Sequence, residues 1–450
     1  MSTATPFPRA RRWLGIWLVT LNVGLLLVAL LLGLLVSRRA YFLAFIVPFG
    51  MAPFAYARLR LHAEIERALA RVPRLLASVV GAGVVLDFIL VAQLVTGRTA
   101  DGLPMLHGPG VNWIGPVWFS AHALLFLAYA AAGGARLLRR LARRLWPRLA
   151  RPARPAADAG LASPERRQFL QHAGLVGAGL PFFVSLSSVP LSYDLRVEPR
   201  DIELPGWPRG LDGLRVAHLS DIHVGGGMTR ERLLRMAELV NEARPDIVLH
   251  TGDFLTHRDG EFDTPLYEAL ARIGAPHGQW ACLGNHDYDD PARIARRLGD
   301  AGVTLLRDQA RAIDIAGHPL EIVGTDFVFA RERHQEIYAR LFARLPARSE
   351  AARLVLNHDP RNFFAMPDGC GDLVLSGHTH GGHVGVQLAQ DRAITVVGLV
   401  GIPDQGVFAR GDMRLFVTRC VGFYGYPMRV GIPPEIALLT LRAPGRTTKT

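Results

Sequence analysis

Five short polar segments in the second half of this 450-residue chain each follow a run of β-branched and leucine residues. They are Asp221-Ile222-His223, Gly252-Asp253, Gly284-Asn285-His286-Asp287, Asn357-His358 and Gly377-His378-Thr379-His380. The preceding runs, such as 214–219, 247–250 and 372–375, have the length and composition of buried strands. The polar residues therefore stand where strands end. An open α/β sheet collects ligands in the crevice beyond the carboxyl ends of its strands. Carboxylate, amide and imidazole groups gathered there suit two metal ions.

The pattern around these segments predicts the fold. From about residue 197, strand-like runs beginning at Leu214, Ile247, Gln279, Leu320, Leu354 and Leu373 alternate with helical stretches at 229–243, 291–301 and 334–345. Later runs at 394–397, 414–417 and 436–441 read as strands without long helices between them. The expectation is an α/β domain over 197–445, with two mixed sheets packed face to face and helices outside, a four-layer sandwich.

The first half is of another kind. Half of the chain is hydrophobic and the mean hydropathy is +0.19, too apolar for an ordinary soluble enzyme. Runs at 13–36, 41–57, 75–96 and 111–133 approach the ~20 residues that a spanning helix needs. The second is short and contains Pro48 and Pro53. These runs predict an all-α, four-helix transmembrane region over 1–135. Residues 1–167 carry 21 arginines, no lysine and six acids, a net charge of +15, and the remainder has a net charge of −3. The basicity thus marks membrane topology: stretches around Arg9, Arg58 to Arg74 and Arg136 to Arg167 are cytoplasmic by the positive-inside rule, outweighing the pair Arg38 and Arg39. A mildly acidic second half excludes nucleic acid as a partner.

A basic Pro/Ala/Arg-rich cytoplasmic linker is expected over 136–167. It leads to Arg166-Arg167-Gln168-Phe169-Leu170 and an apolar run over 168–190, a fifth membrane segment or a twin-arginine-like signal anchor. Either reading sends the following domain across the membrane; a segment that merely lay on the bilayer would leave it cytoplasmic. Asp87 and His122 fall inside the apolar runs. Asp87 either lines a passage or pairs within the bundle, and His122 bonds across helices. His107 falls in a loop. Cys282, Cys370 and Cys420 are too few and too scattered for a disulfide framework or a thiolate zinc site, and Cys282 reads as a small buried residue.

The five motifs, in order and over about 204–441, resemble the calcineurin-like metallophosphoesterases. The resemblance implies that Asp221, His223 and His380 hold a first metal ion, that Asn285, His358 and His378 hold a second, and that Asp253 bridges them. The donor chemistry favours Mn, Fe or Zn over an all-oxygen magnesium site. It further implies hydrolysis of a phosphomonoester, phosphodiester or pyrophosphate by a hydroxide shared between the two ions. His286 then stabilises developing charge or protonates the leaving group. Asp287 either orients His286 or caps the helix before Pro291. His383 either lines the substrate pocket or shapes the glycine turn at Gly381-Gly382. His250 reads as a core residue.

Two departures narrow the branch. Gly252-Asp253-Phe254-Leu255-Thr256-His257-Arg258 lacks the second Asp-Arg pair of the family's protein phosphatases. The segments Gly210-Leu211-Asp212-Gly213-Leu214 and Arg429-Val430-Gly431-Ile432-Pro433-Pro434-Glu435-Ile436 are instead similar to the bacterial membrane-anchored or twin-arginine-exported branch. That branch includes proteins similar to UDP-2,3-diacylglucosamine pyrophosphatases. The expected protein is therefore a phosphoesterase of the bacterial cytoplasmic membrane, its domain outside the cytoplasm and its substrate a lipid or envelope phosphate. The alternatives are a cytoplasm-facing UDP-2,3-diacylglucosamine pyrophosphohydrolase of lipid A synthesis, a non-catalytic scaffold of the same fold, and a helical transporter or sensor with the phosphoesterase appended.

Overall fold

A computed structural model describes residues 38–69, 72–96, 113–145, 164–224, 227–256, 263–345, 351–423 and 428–445. The chain divides into two compact units, Met1–Leu186 and Ser187–Thr450. Three helices of the first unit pack on one another: α1 (Arg38–Leu69), α2 (Pro73–Thr96) and α3 (Ile114–Leu145). A fourth helix, α4, spans Pro164–Ser192. Helix α1 buries Phe54, Ala57, Leu61 and Ile65. Their spacing of three and four residues forms a single stripe, the condition for packing a helix on its neighbours. The stripe meets Leu76 and Leu90 of α2 and Leu125 of α3.

Two expectations for this unit change. Helix α1 runs through Pro48 and Pro53 and on to Leu69, because ten of the twelve residues from Arg58 to Leu69 are Leu, Arg, Ala or Glu, all strong helix formers. For the same reason α3 passes Gly133-Gly134 and takes in residues 136–145, which the sequence assigns to the linker. Among the described residues one helical segment, Ile114–Ala142, is long and apolar enough to cross a membrane, and Val176–Ser192 is a shorter apolar helix. The run at 13–36, His107 and most of the linker lie outside the described residues.

Asp87 and His122, the ionisable residues inside the apolar runs, are buried. Asp87 accepts from Arg58 Nε at 3.1 Å and from Trp118 Nε1 at 2.7 Å, all three on different helices. Gly83 makes the arrangement possible, since a Cβ there would lie 2.2 Å from the Arg58 guanidinium. Among the described residues His122 makes no hydrogen bond across helices. Its Nδ1 lies 2.8 Å from the Trp118 carbonyl of its own helix, and its ring sits among Phe54, Trp118 and Phe182.

The second unit holds two mixed six-stranded sheets. The first contains, in spatial order, β1 (Arg196–Glu203), β14 (Glu435–Arg442), β2 (Leu214–Leu219), β3 (Ile247–His250), β4 (Gln279–Ala281) and β5 (Val303–Leu305). Strands β2 to β5 run parallel. The second contains β12 (Gly406–Arg410), β13 (Met413–Val417), β9 (Leu373–Ser376), β8 (Ala352–Leu356), β7 (His318–Gly324) and β6 (Gln309–Ile315), with β13, β9, β8 and β7 parallel.

Strands buried on both faces read as unbroken apolar runs, and β3, β8 and β9 are buried at every position. One core lies between the sheets, with Val216, Leu249, Ile322, Leu354, Leu375 and Leu439. A second lies under α5 (Arg230–Ala243), α6 (Thr264–Ala271) and α7 (Pro291–Asp300). A third lies under α8 (His334–Arg344). The unit is thus the mixed-sheet sandwich with helices outside. One strand is corrected: the chain leaves β11 (Arg392–Thr395) and turns into the short helix α9 (Val396–Leu399), because Thr395 Oγ1 accepts from Gly398 N–H at 2.9 Å and caps it. Strand β11 pairs with β10 (Gly385–Ala389) in a hairpin separate from both sheets.

Candidate active site

Parallel neighbours put their carboxyl ends at one edge. Asp221 and His223 follow β2, Asp253 follows β3, Asn285 and His286 follow β4, His358 follows β8, and His378 and His380 follow β9. Turning each side chain back into the crevice immediately after a strand requires an unusual backbone. Asp221, His223, Asp253, His378 and His380 all have φ between 50° and 68°. Residues other than glycine persist there at a cost of about 1–3 kcal/mol each, and only where the surroundings over-determine them. Glycines supply the close approaches. A Cβ on Gly252 (φ 87°) would lie 2.1 Å from Gly284 N, and one on Gly377 would lie 2.2 Å from Asp221 Oδ2.

The ligand-type atoms converge in two groups, Asp221 with His223 and His380, and Asp253 with His358 and His378. Within each group they lie no more than 4.8 Å apart. Each carboxylate is half used by the protein. Asp221 Oδ2 accepts from Ser220 Oγ (2.5 Å), His378 N (2.8 Å) and Cys420 Sγ (3.1 Å). This leaves Oδ1, buried and without a hydrogen bond among the described residues, facing His380 Nε2 at 3.2 Å and His223 Nε2 at 3.6 Å. Asp253 Oδ1 accepts from His286 N at 2.8 Å, and Oδ2 lies between His358 Nε2 (3.2 Å) and His223 Nε2 (3.6 Å). One oxygen of Asp253 therefore faces both groups.

Metal ions fit these residues. Asp221 Oδ1 and Asn285 Oδ1 are buried acceptors with no hydrogen-bond donor among the described residues, a cost that a cation would remove. His358 Nδ1 lies 2.7 Å from the Thr251 carbonyl, which places the proton on Nδ1 and frees Nε2 to ligate. His358 Nε2 and His378 Nδ1 are 3.0 Å apart, two basic nitrogens aimed at one place.

The local field favours a cation. Burial by itself would lower His358, but the carboxylates of Asp253 and Asp221 outweigh it and lift the imidazole to about 10. Burial likewise raises Asp253 and Asp221, yet the neighbouring imidazoles, His358 first among them, hold Asp253 at about 2 and Asp221 well below the usual carboxylate range. His378 is pushed down to about 4 by burial and by the charge on His358.

A cavity of about 360 Å³ opens onto both groups and is also lined by Asn285, His286, Arg361, His383, Val397 and Ile402. His286 sits at its wall, its ring 5.2 Å from that of His223. His383 lines the cavity beside His380, 4.6 Å between ring centroids, and its Nδ1 lies 3.3 Å from the Met428 carbonyl. Asp287 does not cap α7. Asp290 does so, accepting from Arg293 N at 3.2 Å. The Asp287 carboxylate is fully engaged by the N–H groups of Asp253 (2.8 Å), Gly284 (2.9 Å) and Phe254 (2.9 Å), so it ties the β3 and β4 loops together. Burial and the charge on Asp253 raise it to about 7. His250 is a core residue, its Nε2 3.1 Å from Gln279 Oε1.

Sequence reasoning missed four residues. Cys420 and Ser220 hold the first carboxylate. Arg429, fully buried, donates to the carbonyls of His380 (3.2 Å) and Arg419 (2.7 Å) and so fixes the loop bearing His380. Arg361 brings a guanidinium into the cavity, 3.3 Å from His378 Nε2 and paired with Asp359. Arg361 had a signal, since it lies three residues after His358. Ser220 had one too, standing next to Asp221, whereas Cys420 reaches Asp221 across 199 residues and Arg429 reaches His380 across 49, contacts that no local spacing reveals.

Residues 214–382 match the model of the calcineurin-like phosphoesterases. An uncharacterized metallophosphoesterase of Aquifex aeolicus is 30% identical over 56% of this chain and 94% of its own length. The phosphodiesterase YaeI of Escherichia coli is 30% identical over 50% of this chain and 82% of its own. The uncharacterized metallophosphoesterase YkuE of Bacillus subtilis is 28% identical over 62% and 98%. The chain belongs to the calcineurin-like phosphoesterase family. It is a metal-dependent phosphoester hydrolase, of a family that usually binds a dinuclear divalent centre.

Proposed function

We propose that the protein is a membrane-tethered phosphoesterase with two divalent ions, acting on a lipid or envelope-linked phosphate at the outer face of the bacterial cytoplasmic membrane. The observation that carries the reaction is the single oxygen, Asp253 Oδ2, set between His223 and His358. In this reading Asp221, His223 and His380 hold one ion, Asn285, His358 and His378 the other, and Asp253 both. Two such ions, of Mn, Fe or Zn, would supply a nucleophile at neutral pH and neutralise phosphoryl charge. The chain's own groups do the rest. Arg361 offers its free N–H groups to a phosphoryl oxygen, His286 stands at the cavity wall to stabilise or protonate the leaving oxygen, and His383 bounds the substrate.

Tethering is supported by the apolar segment Ile114–Ala142 and by α4. Helix α4 exposes Phe169, Val176, Leu180, Phe183 and Leu186 along its length. A face of that kind suits lipid better than water. An anchored enzyme meets a membrane-bound substrate at high effective concentration. The twin-arginine-like Arg166-Arg167 pair and the arginine map favour an exported domain. Hydrolysis of a phosphorylated lipid by the Mn-loaded full chain, abolished by chelation, is the expected result. No turnover of any soluble or lipid phosphoester with Mn present would sink the reading. An alkaline phosphatase fused after residue 197 should be active; an inactive fusion would favour the cytoplasm-facing pyrophosphohydrolase.

A further inference from the structure

The catalytic unit exposes its large apolar side chains unevenly. Of nine described in Ser187–Thr450, seven fall between residues 386 and 407. Six of them belong to the β10–β11 hairpin, to α9 and to the residue after it, and the seventh, Val407, to the edge strand β12. Leu399 and Val400 are 76% and 71% exposed, and Val386, Leu388, Ile394 and Val396 are each more than half exposed. This segment is well anchored. Asp404 accepts from Thr395 Oγ1, its carbonyl accepts from Thr379 Oγ1 at 2.8 Å, and Val396 N donates to the Val384 carbonyl at 3.1 Å. It is also continuous with the cavity, because Val397 and Ile402, on either side of the exposed pair, line it.

A two-stranded hairpin outside both sheets is marginal in water. One that holds its apolar side chains outward, next to a reaction cavity, needs something apolar to cover it. The same chain contains a helix long and apolar enough to cross a bilayer. The hairpin adds one exposed cation, Arg392, complementary to anionic headgroups. Its single carboxylate, Asp391, is taken by Arg200.

We infer that the segment 386–402 is a bilayer-contacting rim that inserts Leu399, Val400 and the hairpin's apolar side chains among acyl chains, and so presents a lipid phosphate to the cavity. This rests on the reading of the substrate as membrane-bound. The rim and that reading fail separately in the following test.

All three native cysteines are buried, so Leu399→Cys in the full chain offers one accessible thiol for an environment-sensitive fluorophore. Thr304→Cys, exposed on the far edge strand β5, is the control. In vesicles of phosphatidylcholine and phosphatidylglycerol the label at 399 should shift to the blue and lose most of its emission to nitroxide-bearing lipids, and the label at 304 should do neither. A label at 399 that behaves like the one at 304 overturns the rim. A blue shift without nitroxide quenching also overturns it, because the cover is then a second copy of the chain or another protein. Release of phosphate from a vesicle-embedded phospholipid is measured in parallel. Quenching without hydrolysis removes the lipid substrate and leaves the rim; hydrolysis without quenching does the reverse.

Discussion

The two units each bury a cluster of charged groups, and the clusters differ in what is left over. In the helical unit Asp87 spends both oxygens, one on Arg58 and one on Trp118. In the catalytic unit Asp221 and Asp253 each spend one oxygen on the protein and turn the other toward imidazole nitrogens at the wall of a cavity. A buried charge that is fully paired internally serves packing. A buried charge left with a lone pair facing open space is poised for a ligand. The difference separates a lock between helices from a reaction centre, although both are buried acids beside cations.

The two clusters should differ most at Asp253. Replacing it with Asn removes the carboxylate oxygen that faces both groups and, on the proposed two-ion reading, should lower phosphoester turnover by about 10³-fold. Steady-state rates with matched metal loading check this, and near-normal turnover would dissolve the distinction. Gly252→Ala forces a Cβ to 2.1 Å from Gly284 N at a φ of 87°. It should cost roughly 3 kcal/mol of stability in the catalytic unit and unseat Asp253, read as a lower Tm together with lost metal.

Metal affinity should climb with pH. In the metal-free protein His358 is lifted to about 10 by Asp253 and Asp221 against the effect of burial, so near neutrality an ion must displace its proton. Each unit of pH should raise affinity about tenfold per proton released, measured by competition with a chelator. The same lift favours the folded metal-free protein most below the ordinary histidine pKa, a contribution that fades as pH rises through about 10.

Cys420→Ala removes the thiol that donates to Asp221 and should weaken metal binding about tenfold, with Cys420→Ser restoring much of it. The smallest effect on catalysis is expected at Asp87. Changing it to Asn strands Arg58, costs about 3 kcal/mol in the helical unit, and leaves turnover of a soluble phosphoester unchanged. A collapse of that turnover would mean that the two clusters communicate.

Of the strands that carry the site, β3, β8 and β9 could be read from the chain because they are buried at every position and so appear as largely apolar runs. The residues closing those runs were legible for the same reason. Strands half-exposed or lying outside the two sheets were harder. β6 has only one fully buried position and β10 none, and the run at 394–397 became strand then helix once Thr395 capped it. Of the two roles the sequence left open for Asp287, the cap before Pro291 falls to Asp290, which lies closer to it, and the three backbone donors that hold Asp287 come from two separate loops that no spacing announces.

By itself the sequence determined the class of chemistry, since five motifs of hard oxygens and imidazoles after β-runs leave little else to be made of them. It also determined that half of the chain is apolar and arginine-flanked. The tertiary structure decided which oxygen of each carboxylate is free, which imidazole nitrogen is held by a carbonyl, and that Cys420, Arg429 and Arg361 join the site. It also brought the apolar segment 386–402 to the edge of the cavity. The reason is physical. Composition and periodicity act along the chain, whereas a spent lone pair, a blocked Cβ and a covered surface depend on partners up to about two hundred residues away, such as Cys420 beside Asp221.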